Sequence, residues 1–126
     1  MRAAVFNEPG DIGVERRPRP EIEAPTDAIV RVTHTAVCGS NLWFYRGDSD
    51  RDVGSPVGHE PMGTVEEVGE DVTSVEPEDR VLAPFANSCG ACEFCRKDLH
   101  TSCVNRDLWG GDNGGGQGEY VRSTHA

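Results

Sequence analysis

The chain has 126 residues, enough for one domain with its own core and too few for two. Hydrophobic residues make up 36%, and 15 glycines bring the apolar share close to the globular norm of about 45–50%, which sets disorder aside. Twenty-two Asp and Glu face 12 Lys and Arg, a formal net charge of −10 that repels phosphate and argues against nucleic acid or an anionic membrane as partner. No stretch approaches the roughly 20 apolar residues of a membrane-spanning helix. The first ten residues lack the apolar core of a secretory signal, so a soluble, cytoplasmic protein is expected.

In chain order, Gly and Pro break the sequence into short apolar runs, the pattern of a mainly β domain. Strands are predicted over 1–6, turning at 7–10, and over 11–16, ending in the Pro/Arg stretch 17–20. Further strands are predicted over 27–37, 62–68, 79–83 and 119–122. Helix signals are few. Ser40 suits the N-cap of a short helix through Leu42–Tyr45 closed by Gly47, and 94–102 has room for a turn or two. The glycine-rich run 110–118 reads as a flexible surface loop.

Four of the five cysteines crowd into 15 residues: Cys89, Cys92, Cys95 and Cys103. Two-residue gaps let a chain wrap a metal with both thiolates inward, and four thiolates at about 2.3 Å make a closed structural zinc site. In a reducing compartment the cluster points to metal before disulfide. Zinc with four thiolates carries a net charge of about −2, which Arg96 and Lys97 stand beside to offset. An iron–sulfur cluster is the other metal option, a poorer match because Val104, not Pro, follows Cys103. His100 is a substitute ligand or an exposed histidine.

A second constellation joins Cys38, just after the apolar run 27–37, with His59 and Glu60 in Val57-Gly58-His59-Glu60-Pro61-Met62-Gly63. Taken singly, Cys38 reads as a core cysteine and His59 as a surface or hydrogen-bonded histidine; together, one thiolate and one imidazole with an open position resemble an incomplete catalytic zinc site, which normally has three protein ligands plus water. Neighbours on a regular strand point to opposite faces, so His59 and Glu60 both ligate only if the backbone kinks, as Pro61 allows. Glu60 is expected to support the site or to act as an exchangeable ligand.

With Cys38-Gly39-Ser40, Gly58-His59-Glu60, Val65-Glu66-Glu67-Val68-Gly69 and the Cys89/Cys92/Cys95/Cys103 lobe in this order, the chain resembles the zinc-dependent medium-chain alcohol dehydrogenases. The likeness is to their N-terminal, GroES-like catalytic domain and covers nearly the whole chain, 1–126. It implies a partly open β-barrel with a zinc-binding lobe at about 86–108, structural zinc on the four cysteines, and catalytic zinc at Cys38 and His59. It also implies that Ser40 passes the hydroxyl proton towards solvent while hydride leaves for NAD(P).

Two positions depart from the family's habit: Asn41 stands where Asp commonly supports the histidine ligand, and Trp43 stands where His is frequent. Asn41 lacks the charge that raises ligand basicity, and Trp43 cannot shuttle a proton. The dinucleotide fingerprint G-x-G-x-x-G is missing, the run 110–118 included, so a Rossmann domain is expected to be absent. The expected function is the catalytic domain of an NAD(P)-dependent dehydrogenase of small alcohols or polyols, inactive alone for lack of its cofactor domain. The rival is a non-catalytic zinc-binding interaction module, or one subunit of a split dehydrogenase. Either way, an apolar face drawn from Trp43, Phe44, Phe85 and Trp109 is expected to drive homodimerisation or docking of a separate Rossmann subunit.

Overall fold

A computed structural model describes residues 1–109 and 114–126. In chain order the elements are β1 (Arg2–Glu8), β2 (Asp11–Arg16), β3 (Ala28–Thr35), α1 (Asn41–Arg46), β4 (Pro61–Val68), β5 (Arg80–Leu82), β6 (Ala86–Asn87), two 3-10 turns (Cys95–Lys97 and His100–Ser102), β7 (Asp107–Leu108) and β8 (Tyr120–Ser123). The architecture is mainly β, as the short apolar runs predict.

The central sheet has four antiparallel strands in the order β5-β4-β3-β8. Its middle strand, β3, begins Ala28-Ile29-Val30, all buried, because both faces of that end are covered. Val30, Val65, Trp109 and Val121 form the core beneath it, ringed by Val32, Val68, Val75, Val81 and Ala83. Each fully buried aliphatic side chain here contributes about 1.5–3 kcal/mol.

The β1–β2 ribbon packs alongside through a second cluster, Phe6, Phe44 and Val57. Isolated bridges from Ala3 to Gly118 and from Val5 to Pro56 stitch the ribbon to the segments that hold the site. A buried ion pair closes the other end. Asp27 Oδ2 accepts the backbone N–H groups of Glu23 and Ala24 (3.1 and 2.9 Å) and lies 3.3 Å from Arg122 Nη1 on β8.

Several boundaries differ from the sequence reading. β1 continues to Glu8 through a bulge after Phe6, so the turn shrinks to Pro9-Gly10. β3 stops at Thr35, two residues short of Val37, and frees the chain to turn into α1. α1 closes as expected on Gly47, left-handed at φ 81°. Ser40 occupies the N-cap position in helical geometry, yet its side chain makes no cap hydrogen bond.

The two-residue pair β6–β7 is too short to leave any periodic signal in sequence. Residues 110–113 of the expected flexible loop lie outside the described residues. Residues 114–118 correct that expectation: Gly115 and Gly116 are buried, with Gly116 N–H donating to Gly58 O at 2.8 Å.

Of the four residues expected on an apolar face, two are exposed and two are buried. Trp43 and Phe85 are 61% and 55% exposed. Phe44 is buried edge-on against Phe6 (centroids 5.5 Å), and Trp109 folds into the main core with Nε1–H donating to Pro84 O at 2.6 Å. Both are spent on this domain's own packing and are withdrawn from any docking face. Among the described residues no helix is long and apolar enough to cross a membrane.

Candidate functional site

The β3–β4 ladder delivers the first group of donors. Its register sets Thr35 opposite Pro61, and Ala36 N–H still donates to Glu60 O at 3.3 Å. Cys38 lies three residues past Thr35, while His59 and Glu60 immediately precede Pro61. One end of an antiparallel pair therefore brings all three together. One ligand atom from each of Cys38, His59 and Glu60 lies within 4.8 Å of the others, all half-buried. The chain bends at His59, after Gly58 at φ 97°, which supplies the kink that lets adjacent residues face one point.

Ser40 Oγ lies 3.1 Å from His59 Nε2 in hydrogen-bond contact, which is where its hydroxyl goes instead of capping α1. The Phe85 ring stands edge-on to the His59 imidazole, centroids 4.7 Å apart. Burial pushes the His59 pKa below its ordinary value; the Glu60 carboxylate opposes this and Arg51 reinforces it. Burial therefore favours the neutral imidazole, the form a metal needs. Asn41, buried three residues after Cys38, makes no side-chain hydrogen bond among the described residues, so it does not take up the supporting role toward His59.

Sequence reasoning missed the wall behind His59. A Cβ on Gly116 would lie 2.8 Å from Pro61 Cδ and 3.2 Å from His59 N; one on Gly58 would lie 2.6 Å from Gln117 N. The glycines of 114–118 let two backbones close to contact distance and clamp the His59 turn. The signal was present as an unexplained density of glycine.

The second donor group is the cysteine lobe. Cys92 and Cys95 Sγ are 3.5 Å apart, Cys89 and Cys103 3.6 Å, and Cys92 and Cys103 3.9 Å. A tetrahedron with metal–sulfur bonds of about 2.3 Å has edges of about 3.8 Å, so these spacings fit zinc. They are far from the roughly 2.05 Å of a disulfide.

The electrostatics agree. Backbone N–H of Ala91, then the Asn105 amide, bring Cys89 down to about 6. The backbone N–H of Cys95 lowers Cys92. Burial, then the hydrogen bond shared with Cys92, pushes Cys95 up to about 12. Four thiolates cannot coexist here without a cation between them, and a divalent metal with sulfur affinity satisfies all four.

His100 is exposed, with Nδ1 3.1 Å from Ser88 Oγ, and stays outside the sulfur cluster. Lys97 pairs with Glu93 at 2.7 Å, with both side chains exposed.

A cleft of about 690 Å³ opens beside the cysteine lobe. Pro84, Phe85, Ala86 and Leu108 give it apolar walls, and the lobe contributes Ser88, His100, Thr101 and Arg106. Phe85 is shared: one side faces the cleft and its ring packs on His59.

Known proteins resemble this chain in sequence and fold. The family of the alcohol dehydrogenase GroES-like domain matches residues 24–126. Zinc-type alcohol dehydrogenase B of Aspergillus flavus is 42% identical over 127 residues, covering all of this chain and 30% of that protein. A zinc-type alcohol dehydrogenase-like protein of Bacillus subtilis is 38% identical over 141 residues, covering all of this chain and 37% of that one. Among solved structures, the alcohol dehydrogenase of Thermus sp. ATN1 superposes with a TM-score of 0.88 at 36% identity, over 99% of this chain and 38% of its own. The chain thus spans about a third of the length of such relatives. Its mainly β GroES-like fold, few helices and four-cysteine cluster, typical of the structural zinc site of these enzymes, place it in the zinc alcohol dehydrogenase family, as a GroES-like N-terminal domain.

Proposed function

We propose that residues 1–126 are the zinc-binding catalytic domain of an NAD(P)-dependent dehydrogenase that oxidises a small alcohol or polyol to an aldehyde or ketone in the cytoplasm. The observation that carries this reading is the convergence of Cys38, His59 and Glu60, with Ser40 on the imidazole of His59. In this reading Cys38, His59 and Glu60 hold a catalytic zinc, while Cys89, Cys92, Cys95 and Cys103, in the lobe at about 86–108, hold a structural one.

Zinc, when bound, supplies the Lewis acidity that favours the alkoxide form of an alcohol. Three protein donors leave a fourth position for substrate. Ser40 Oγ, held against His59, receives the hydroxyl proton and passes it to solvent. Phe85 orients the imidazole and screens it from water on the cleft side. NAD(P) accepts the hydride and belongs to a separate Rossmann part or subunit, so this domain by itself holds zinc and performs no turnover.

The exposure of Trp43 and Phe85 supports a second element of the reading, association with a partner or a second copy. A chain loaded with cobalt(II) tests the site without turnover. Cys38 is expected to give a thiolate-to-cobalt absorption band that a small alcohol perturbs and Cys38→Ala removes. A band unchanged by Cys38→Ala contradicts the reading.

A further inference from the structure

The four lobe cysteines are not equivalent. Cys89 and Cys92 are half-buried, whereas Cys95 and Cys103 are buried. Each half-buried sulfur has a buried one as close neighbour: Cys92 with Cys95 at 3.5 Å, and Cys89 with Cys103 at 3.6 Å. These two pairs share no residue, and both are shorter than the cross approach of Cys92 to Cys103 at 3.9 Å. An accessible sulfur beside a sheltered one is the arrangement in which a first cysteine is oxidised and a second resolves it.

The backbone supports both pairings. Cys92 and Cys95 lie on one tight turn, with Arg96 N–H on Cys92 O at 3.0 Å and Asp98 N–H on Cys95 O at 3.1 Å. Cys89 N–H donates to Cys103 Sγ at 3.4 Å and ties those two strands of the lobe together. Cys38 belongs to the other donor group, with His59 and Glu60.

We propose that the lobe is a reversible oxidation site, in which hydroperoxide joins Cys92 to Cys95 and Cys89 to Cys103 and expels the metal. In each pair the half-buried thiolate attacks a peroxide oxygen, breaking the O–O bond and giving a sulfenic acid and hydroxide. The buried thiolate then attacks the sulfenic sulfur, forming the S–S bond and releasing a second hydroxide. Four thiolates lose four electrons, two peroxides gain them, and zinc leaves as the aqueous ion.

The reach of the change follows from position. Ser88, His100, Thr101 and Arg106 wall the cleft that Phe85 also lines, and Phe85 packs on His59, so a metal-free, cross-linked lobe reshapes the cleft. The inference rests on the structural zinc reading, and metal analysis of the untreated chain tests that reading separately.

The test treats the zinc-loaded 126-residue chain with hydrogen peroxide at a few equivalents. Zinc release is followed with a chromogenic chelator, free thiols are alkylated, and the disulfides are mapped by tandem mass spectrometry. The expected result is loss of the lobe zinc with Cys92–Cys95 and Cys89–Cys103 linked, reversed by dithiothreitol and zinc. In Cys103→Ser, Cys92–Cys95 still forms and Cys89 is trapped by dimedone as the sulfenic acid. A Cys95–Cys103 linkage, irreversible sulfinic acids in place of disulfides, or zinc retained through the treatment overturns the proposal. The wild-type map decides the matter even if Cys103→Ser folds poorly.

Discussion

Gly116→Ala is a small change aimed from behind at the His59 turn, the proposed metal-binding turn. The new methyl would sit 2.8 Å from Pro61 Cδ and 3.2 Å from the backbone nitrogen of His59. Ordinary carbon–carbon contact is about 3.5–4.0 Å, so the turn must retreat by roughly 0.7–1.2 Å. Gly116 lies outside the set of glycines with positive φ, so the cost is overpacking, about 1–3 kcal/mol of stability.

The functional cost is sharper, because metal donors tolerate errors of only about 0.2 Å in bond length. Moving His59 away from Cys38 should weaken metal at that site by about 10–100-fold, the range seen when support around ligands is lost. The cysteine lobe lies in a separate segment and should keep its affinity, which gives an internal control. Competitive titration against chelators of graded affinity reads both sites in one sample. Unchanged affinity at the Cys38 site, or equal weakening of both sites, would refute the reasoning.

Other expectations follow from the same contacts. Asp27→Ala removes the acceptor of two backbone N–H groups and the buried partner of Arg122, and should cost about 3–5 kcal/mol in chemical denaturation. Pairing it with Arg122→Met should cost less than the sum of the single changes; strict additivity would contradict the coupling.

In the metal-free chain, His59 should titrate by NMR below the ordinary value of about 6.5, and Phe85→Ala should move it upward by restoring solvent. Between that lowered folded value and about 6.5 the unfolded chain binds more protons, so stability should fall as pH falls through this window. A midpoint at or above 6.5 would remove the burial argument.

Stripping metal with a strong chelator at neutral pH should loosen 89–103 in hydrogen exchange while the β3–β4 pair stays protected, because the main core contains no cysteine of the lobe. Uniform loss of protection would show that the lobe and the core unfold as one.

What could be read from sequence divides along physical lines. β2, β4 and β8 show as β-branched or alternating runs bounded by Gly and Pro, and α1 announces itself through Gly47. That Cys38, His59 and Glu60, and separately the four lobe cysteines, come together is legible because metal chemistry demands few residue types at close spacing. Burial was harder to read. Nothing local separates Trp43 and Phe85, which stay exposed, from Phe44 and Trp109, which the core takes up; the difference lies in what folds back onto each. Local sequence suits Ser40 to a helix cap, whereas its hydroxyl lies 3.1 Å from the imidazole of a histidine 19 residues away, a contact that only the family likeness hinted at. The glycines of 114–118 looked like slack and are instead the close approach that holds the His59 turn.

The central claim is that this domain carries two separate metal sites. Zinc content at saturating metal, followed by removal of loosely bound ions, tests it in the wild-type chain and in Cys38→Ala. The account predicts two zinc ions per wild-type chain and one in Cys38→Ala, with the lobe affinity unchanged. The same single zinc in both proteins would show that Cys38, His59 and Glu60 do not hold a metal, and would contradict the account.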